Sequence, residues 1–176
     1  TGEPYIINID NCNDALPKEQ KELGLEIKQS NLCSEITLPT NEDRTAVCCL
    51  SSVNLEKFDE WNKDELFIED LVTMLDNVLQ NFIDSTVNTD ELGPYRAGPE
   101  RFKNYIKENK NGYRKAAYSA YRERSIGLGA MGFHSYLQAN NIPFESMYAS
   151  SFNHGAFGLL KRKAEKASIK LGAERG

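Results

Sequence analysis

From Lys63 to about Val87 the apolar residues recur every three to four positions, and this pattern restricts the fold more than any other in the chain. Phe67, Leu71, Met74, Val78 and Phe82 fall on one stripe, with Ile68, Val72, Leu75, Leu79 and Ile83 on the stripe beside it. Adjacent stripes at a 3.6-residue period predict a helix with a wide apolar face that must be covered. Asn62 is placed to cap this helix, with Glu65 three residues on as the capping-box partner. A second long helix is expected from Glu145 to Leu171, starting after Pro143 and closed by Gly172. Further helices are expected in "GAMGFHSYLQANN" and over 100–123, the latter broken near Gly112.

Strand-like runs lie between these helices. "EPYIINID", "SNLCSEITLPT", "TAVCCLSSVNL" and "RSIGL" are short and rich in β-branched or apolar residues. The polar "NEDR" is a turn that could join the second and third as a hairpin. "NCNDALPKEQKELG" and "NTDELGPYRAGPE" read as loops. Mixed strands and helices favour an α/β fold. With 176 residues, 40% of them hydrophobic, the expectation is one domain spanning 1–176. A net charge of -5 argues against nucleic-acid binding by the whole surface. No apolar run approaches the ~20 residues of a membrane span, and no secretory signal is visible. Cys12, Cys33, Cys48 and Cys49 form no CxxC pair, so a reduced, cytoplasmic compartment is the simpler reading.

Four constellations could carry chemistry. Gly127-Leu128-Gly129-Ala130-Met131-Gly132 matches G-x-G-x-x-G between a strand-like run and a helix, the form of a dinucleotide phosphate site. The second strand with an acidic residue that completes that fingerprint is missing, so the lone match is a weak signal, and close packing of helix on strand is the competing reading. Arg96 to Arg124 carries nine Lys or Arg against three Glu, with tyrosines interleaved. Such a run suits either a single-stranded nucleic acid or a solvated helix face. The four cysteines with His134 and His154 have no zinc-like spacing. In "SNLCSEI", Asn31, Cys33 and Glu35 alternate, so an extended strand would put amide, thiol and carboxylate on one face. Leu32 and Ile36 would then face the core. A thiol and carboxylate so placed suit a nucleophile and base, or a radical and base; a buried structural cysteine is the competing reading.

The longer stretches choose among these. "SNLCSEITLPT" followed by "AVCCLSSVNL" resembles the active-site region of the large (alpha) subunit of class I ribonucleotide reductases. "GEPYIINIDNCN", "RSIGLGAMGFHSYLQ" and "AEKASIKLGAERG" resemble other segments of that subunit in the same order, so the resemblance covers almost the whole chain. It implies part of a ten-stranded α/β barrel, with mixed strands and several long helices, that reduces ribonucleotides to deoxyribonucleotides. It also implies roles. Cys33 matches the cysteine that becomes a thiyl radical and abstracts the substrate 3′-hydrogen. Glu35 matches the carboxylate that takes the 3′-hydroxyl proton, a role favoured by partial burial. Asn31 matches the amide that hydrogen-bonds the ribose hydroxyls. Cys48 matches one of two thiols that reduce the 2′ position and end as a disulfide, while Cys49 is a bystander.

By the same resemblance the chain itself holds no cofactor. The radical comes from a metal-containing small (beta) subunit, and thioredoxin or glutaredoxin is the external reductant. The expected partners are a ribonucleotide, the small subunit, the rest of the alpha chain and a second alpha subunit, with neither membrane nor nucleic acid. No second reducing cysteine stands in a matching context, and the expected tyrosine pair, tail cysteines and phosphate loop are not in this sequence. The expectation is therefore a middle piece of a catalytic subunit, inactive by itself. Two alternatives stay open: an adenosylcobalamin-dependent reductase, in which "NPC" is more usual than "NLC", and a nicotinamide oxidoreductase using Gly127 to Gly132.

Overall fold

The computed structural model describes residues 2–87, 104 and 113–175. The described residues comprise α1 (Ile9–Asp14), α2 (Lys18–Glu22), β1 (Cys49–Asn54), a 3₁₀ turn (Leu55–Lys57), α3 (Phe58–Trp61), α4 (Phe67–Thr86), α5 (Arg114–Glu123), β2 (Ile126–Met131), α6 (Phe133–Ala139) and α7 (Met147–Arg175). They fall into two compact units, Thr1–Val47 with Phe82–Arg124 and Cys48–Asn81 with Ser125–Gly176.

The second unit is built on β1 and β2, which pair in parallel from Cys49↔Ile126 to Asn54↔Met131. A parallel partner far along the chain replaces the expected hairpin, because "SNLCSEITLPT" forms no strand and "NEDR" closes only an isolated bridge, Asn41↔Arg44. Val53 points from β1 into a core of Leu55, Trp61, Ile68, Val72, Ala156, Leu160, Ala167 and Leu171. Trp61 donates its indole N–H to the Asn54 carbonyl (2.9 Å), so its one polar atom is satisfied as the ring is buried. Phe58, Tyr136 and Phe152 extend this core, with the Tyr136 and Phe152 rings stacked 3.9 Å apart.

The apolar periodicity of 63–87 is a helix, and its two stripes divide. Ile68, Val72, Leu75, Leu79 and Ile83 are buried, whereas Met74 and Val78 are about half exposed. The start also differs from the capping-box expectation. The helix begins at Phe67, and Asp64 rather than Asn62 turns the chain into it, its carboxylate accepting the Leu66 N–H (2.9 Å). α7 continues through Gly172 to Arg175. Side chains along it reach back to α4 and the turn before it: Lys163 donates to the Asp64 carbonyl, Lys170 pairs with Glu69, and Arg175 pairs with Asp76 and donates to Asn77. The last of these anchors the final turn, which is why the glycine does not end the helix.

In the first unit an expected strand and an expected loop both fold differently. "EPYIINID" forms no strand, and its end enters α1, while α2 lies in a stretch expected to be a loop. Asn13 holds this region by donating to the Ile27 carbonyl (3.0 Å) and accepting the Ile27 N–H (2.8 Å). Arg44 and Glu123 form a buried ion pair at 2.6 Å, with the guanidinium 5.1 Å from the centre of the Tyr118 ring. Most of the basic, tyrosine-rich stretch before Arg114 lies outside the described residues. Its described part, α5, buries Ala116 to Ala120. Among the described residues no helix is long and apolar enough to cross a membrane.

Candidate active site

The "SNLCSEI" segment is a tight turn, not a strand. The Asn31 N–H donates to the Ile36 carbonyl (3.1 Å), and the Ile36 N–H donates back to Asn31 Oδ1 (3.1 Å). Inside this clamp the Ser34 N–H donates to the Asn31 carbonyl (3.2 Å), and Ser34 takes a left-handed φ of 66°. Ser30 Oγ donates to the Asn31 carbonyl as well (3.0 Å). A short polar side chain bonding its own neighbourhood offers the backbone an alternative to a strand ladder, and here that alternative wins. The one-face argument from alternation therefore does not hold. Leu32, expected in the core, is 89% exposed, and Ile36 is only half-buried.

The turn instead puts Cys33 at an exposed tip. Cys33 and Ser34 line an open cavity of ≈ 550 Å³ whose other wall is Gly2 to Ile6, a size suited to a small molecule. That wall is a feature that reading the sequence missed: "GEPYI" reads as part of a strand and holds none of the candidate site residues. Asn31 has a double use. Its Oδ1 accepts the Ile36 N–H with one lone pair, and the Nδ2 donor can serve a ligand. Glu35 is exposed, so the burial expected to favour it as a base is not provided by the described residues.

Cys48 and Cys49 belong to the second unit, Cys48 just before β1 and Cys49 at its first position. Both are half-buried. Burial pushes the Cys48 thiol up, and the neighbouring Cys49 adds to the effect; burial alone does the same for Cys49. The thiolate is the nucleophile, so raised values leave both slow near neutral pH. Iodoacetamide is expected to label Cys33 well before Cys48 or Cys49, with the two slower rates still rising with pH past the usual thiol range. Faster labelling of Cys48 in a peptide-resolved time course would contradict this.

The other candidates fall differently. Gly127 and Gly129 lie within β2, and Gly132 (φ 76°) sits against the Asn54 side chain that caps the following 3₁₀ turn. These glycines serve strand pairing and close packing. His134 lies beside the Phe144 ring, and His154 Nδ1 is 2.9 Å from the Ser150 carbonyl. Among the described residues no three His, Cys, Asp or Glu side chains are grouped to hold a metal ion.

A family model described as "Ribonucleotide reductase, barrel domain" matches residues 1–176. The chain belongs to the ribonucleotide reductase family. The ribonucleoside-diphosphate reductase large subunit of Invertebrate iridescent virus 3 is 47% identical over 176 residues, all of this chain and 24% of the viral protein. The ribonucleoside-diphosphate reductase subunit alpha of Buchnera aphidicola subsp. Acyrthosiphon pisum is 30% identical over 186 residues, all of this chain and 20% of that protein. Among solved structures, the Actinobacillus ureae class Id ribonucleotide reductase alpha subunit superposes with a TM-score of 0.78 at 38% identity, covering all of this chain and 30% of that one. The chain thus spans about a quarter of the length of the large subunits of Invertebrate iridescent virus 3 and Frog virus 3. Its fold is part of the reductase barrel domain, as the resemblance implied, and the relatives' names favour neither the cobalamin nor the nicotinamide alternative.

Proposed function

We propose that this chain is the part of a class I ribonucleoside-diphosphate reductase alpha subunit that carries the thiyl cysteine. The observation that carries the reading is the Asn31–Ile36 turn, which in a chain of this family offers Cys33 at an open cavity. Cys33 Sγ, once oxidised by loss of its hydrogen atom, takes the 3′-hydrogen of the ribose. Glu35 accepts the 3′-hydroxyl proton. Asn31 donates from Nδ2 to a ribose hydroxyl while its Oδ1 holds the Ile36 N–H. Cys48 is one of the two thiols that supply the reducing electrons and end as a disulfide. The oxidising equivalent is supplied by a metal-containing small subunit, and thioredoxin or glutaredoxin restores the thiols. A second alpha subunit and a cytoplasmic setting complete the proposal.

A hybrid tests it. Residues 1–176 replace the matching segment of the Invertebrate iridescent virus 3 large subunit, and the product is assayed with a radical-supplying small subunit. The expected result is reduction of ribonucleoside diphosphates without added adenosylcobalamin. No product from a folded hybrid, with the parent subunit active in parallel, would sink the reading. Activity only with adenosylcobalamin would select the alternative class.

A further inference from the structure

The parallel register sets Leu50 opposite Gly127 and Ser52 opposite Gly129. Side chains alternate along a strand, so Leu50 and Ser52 share one face of β1 while Val53 enters the core from the other, and Cys48, just before β1, borders the first face at Gly127. On the Cys48 face β2 contributes no side chain at 127 or 129. A Cβ at Gly127 would stand 2.4 Å from Leu50 Cδ2 and 3.8 Å from Cys48 Sγ. Leu50 therefore fills the volume that a side chain at 127 would take, and it borders the same point as the thiol. It is 55% exposed, so core burial does not hold it there. What places Leu50 beside the thiol is the side-chain-free backbone at Gly127, which leaves its Cδ2 room there.

We infer that Gly127 and Leu50 are positioning residues for Cys48. Gly127 leaves the space in which Leu50 lies, and Leu50 screens the thiol on its open side. Its bearing on the reaction rests on the proposed role of Cys48, but the local effect on the thiol can be measured in this chain directly. Leu50→Ala uncovers the sulfur. Gly127→Ala puts a methyl group where Leu50 Cδ2 now lies, in van der Waals contact with the sulfur and covering it.

The test is the rate of iodoacetamide labelling at Cys48 divided by that at exposed Cys33 in the same molecule, read by peptide mass spectrometry. General loosening of the fold raises labelling at all the cysteines, Cys49 included, whereas repositioning moves the Cys48 ratio alone. Leu50→Ala is expected to raise the ratio about threefold and Gly127→Ala to lower it about threefold. The double variant should return it to near the starting value, and Leu50→Met should leave it unchanged. Single-variant ratios all within about twofold of the parent would overturn the inference. Should Gly127→Ala not fold, the Leu50→Ala and Leu50→Met pair decides in the same way, since Leu50 lies outside the core. An inactive hybrid subunit would overturn the proposed function and leave the labelling ratios standing; unchanged ratios with an active hybrid would do the reverse.

Discussion

In the hybrid subunit Cys33→Ser is expected to bring ribonucleotide reduction to background, a loss on the order of a thousandfold or more, or about 4 kcal/mol of barrier. The change keeps size and hydrogen-bonding ability at an exposed turn, so the fold should be undisturbed. What it removes is the weak S–H bond. A serine O–H bond is far stronger, and the radical relay cannot break it. Neighbouring variants separate the other roles. Glu35→Gln removes a base and should cost about 10²–10⁴-fold with substrate binding retained. Asn31→Asp keeps the oxygen that accepts the Ile36 N–H but loses the Nδ2 donor, so it tests ribose contact without opening the turn. Asn31→Ala opens the turn and is a poorer test. Substantial turnover by Cys33→Ser would remove Cys33 from the reaction.

Arg44→Ala is expected to cost the first unit about 3–5 kcal/mol, because it strands a buried charge on Glu123. Net stabilities of domains are only about 5–15 kcal/mol, so the loss should show as a large fall in urea midpoint. The Glu123 side chain is 5% exposed, and among the described residues its Oε2 has no hydrogen-bond partner while Oε1 takes the Arg44 guanidinium. Burial raises the Glu123 carboxyl above the usual carboxylate range, and Arg44 only partly opposes it. A carboxyl with a raised folded-state value contributes stability that is full below its unfolded value and lost as pH rises through the folded one. Removing Arg44 removes the opposing pull, so the deficit of Arg44→Ala should be smaller at about pH 5 than at about pH 7.5. A pH-independent deficit would show that the cost is lost packing on Tyr118, not ionisation of Glu123. Replacing both partners by apolar residues of similar size should recover most of the loss.

Long-period patterns are legible in the sequence itself. The apolar stripes of Phe67 to Ile83 make a helix, and the second half of the chain makes a longer one. "CLSSVN" and "IGL" fall in strands. The helical signals survive because each repeats over many residues, and no single side chain can overrule them. Short signals are weaker guides. The alternation of Asn31, Cys33 and Glu35 spans five residues, and one amide bonding the Ile36 backbone is enough to replace the strand by a turn. Gly172, a standard stop signal, is carried into α7 by contacts that Arg175 makes with residues about a hundred positions earlier. The G-x-G-x-x-G match has the form of a phosphate loop, yet two of its glycines lie in β2, facing Leu50 and Ser52.

The sequence by itself determined the family, the residue types of the candidate site and the two long helices, since these rest on local order along the chain. Tertiary structure alone decided which strand β1 pairs with, which stripe of α4 is buried, and where a side chain at 127 would collide. It also decided that Arg44 and Glu123 meet, 79 positions apart. Each of these depends on residues far apart in sequence competing for the same volume, and no window along the chain contains both competitors.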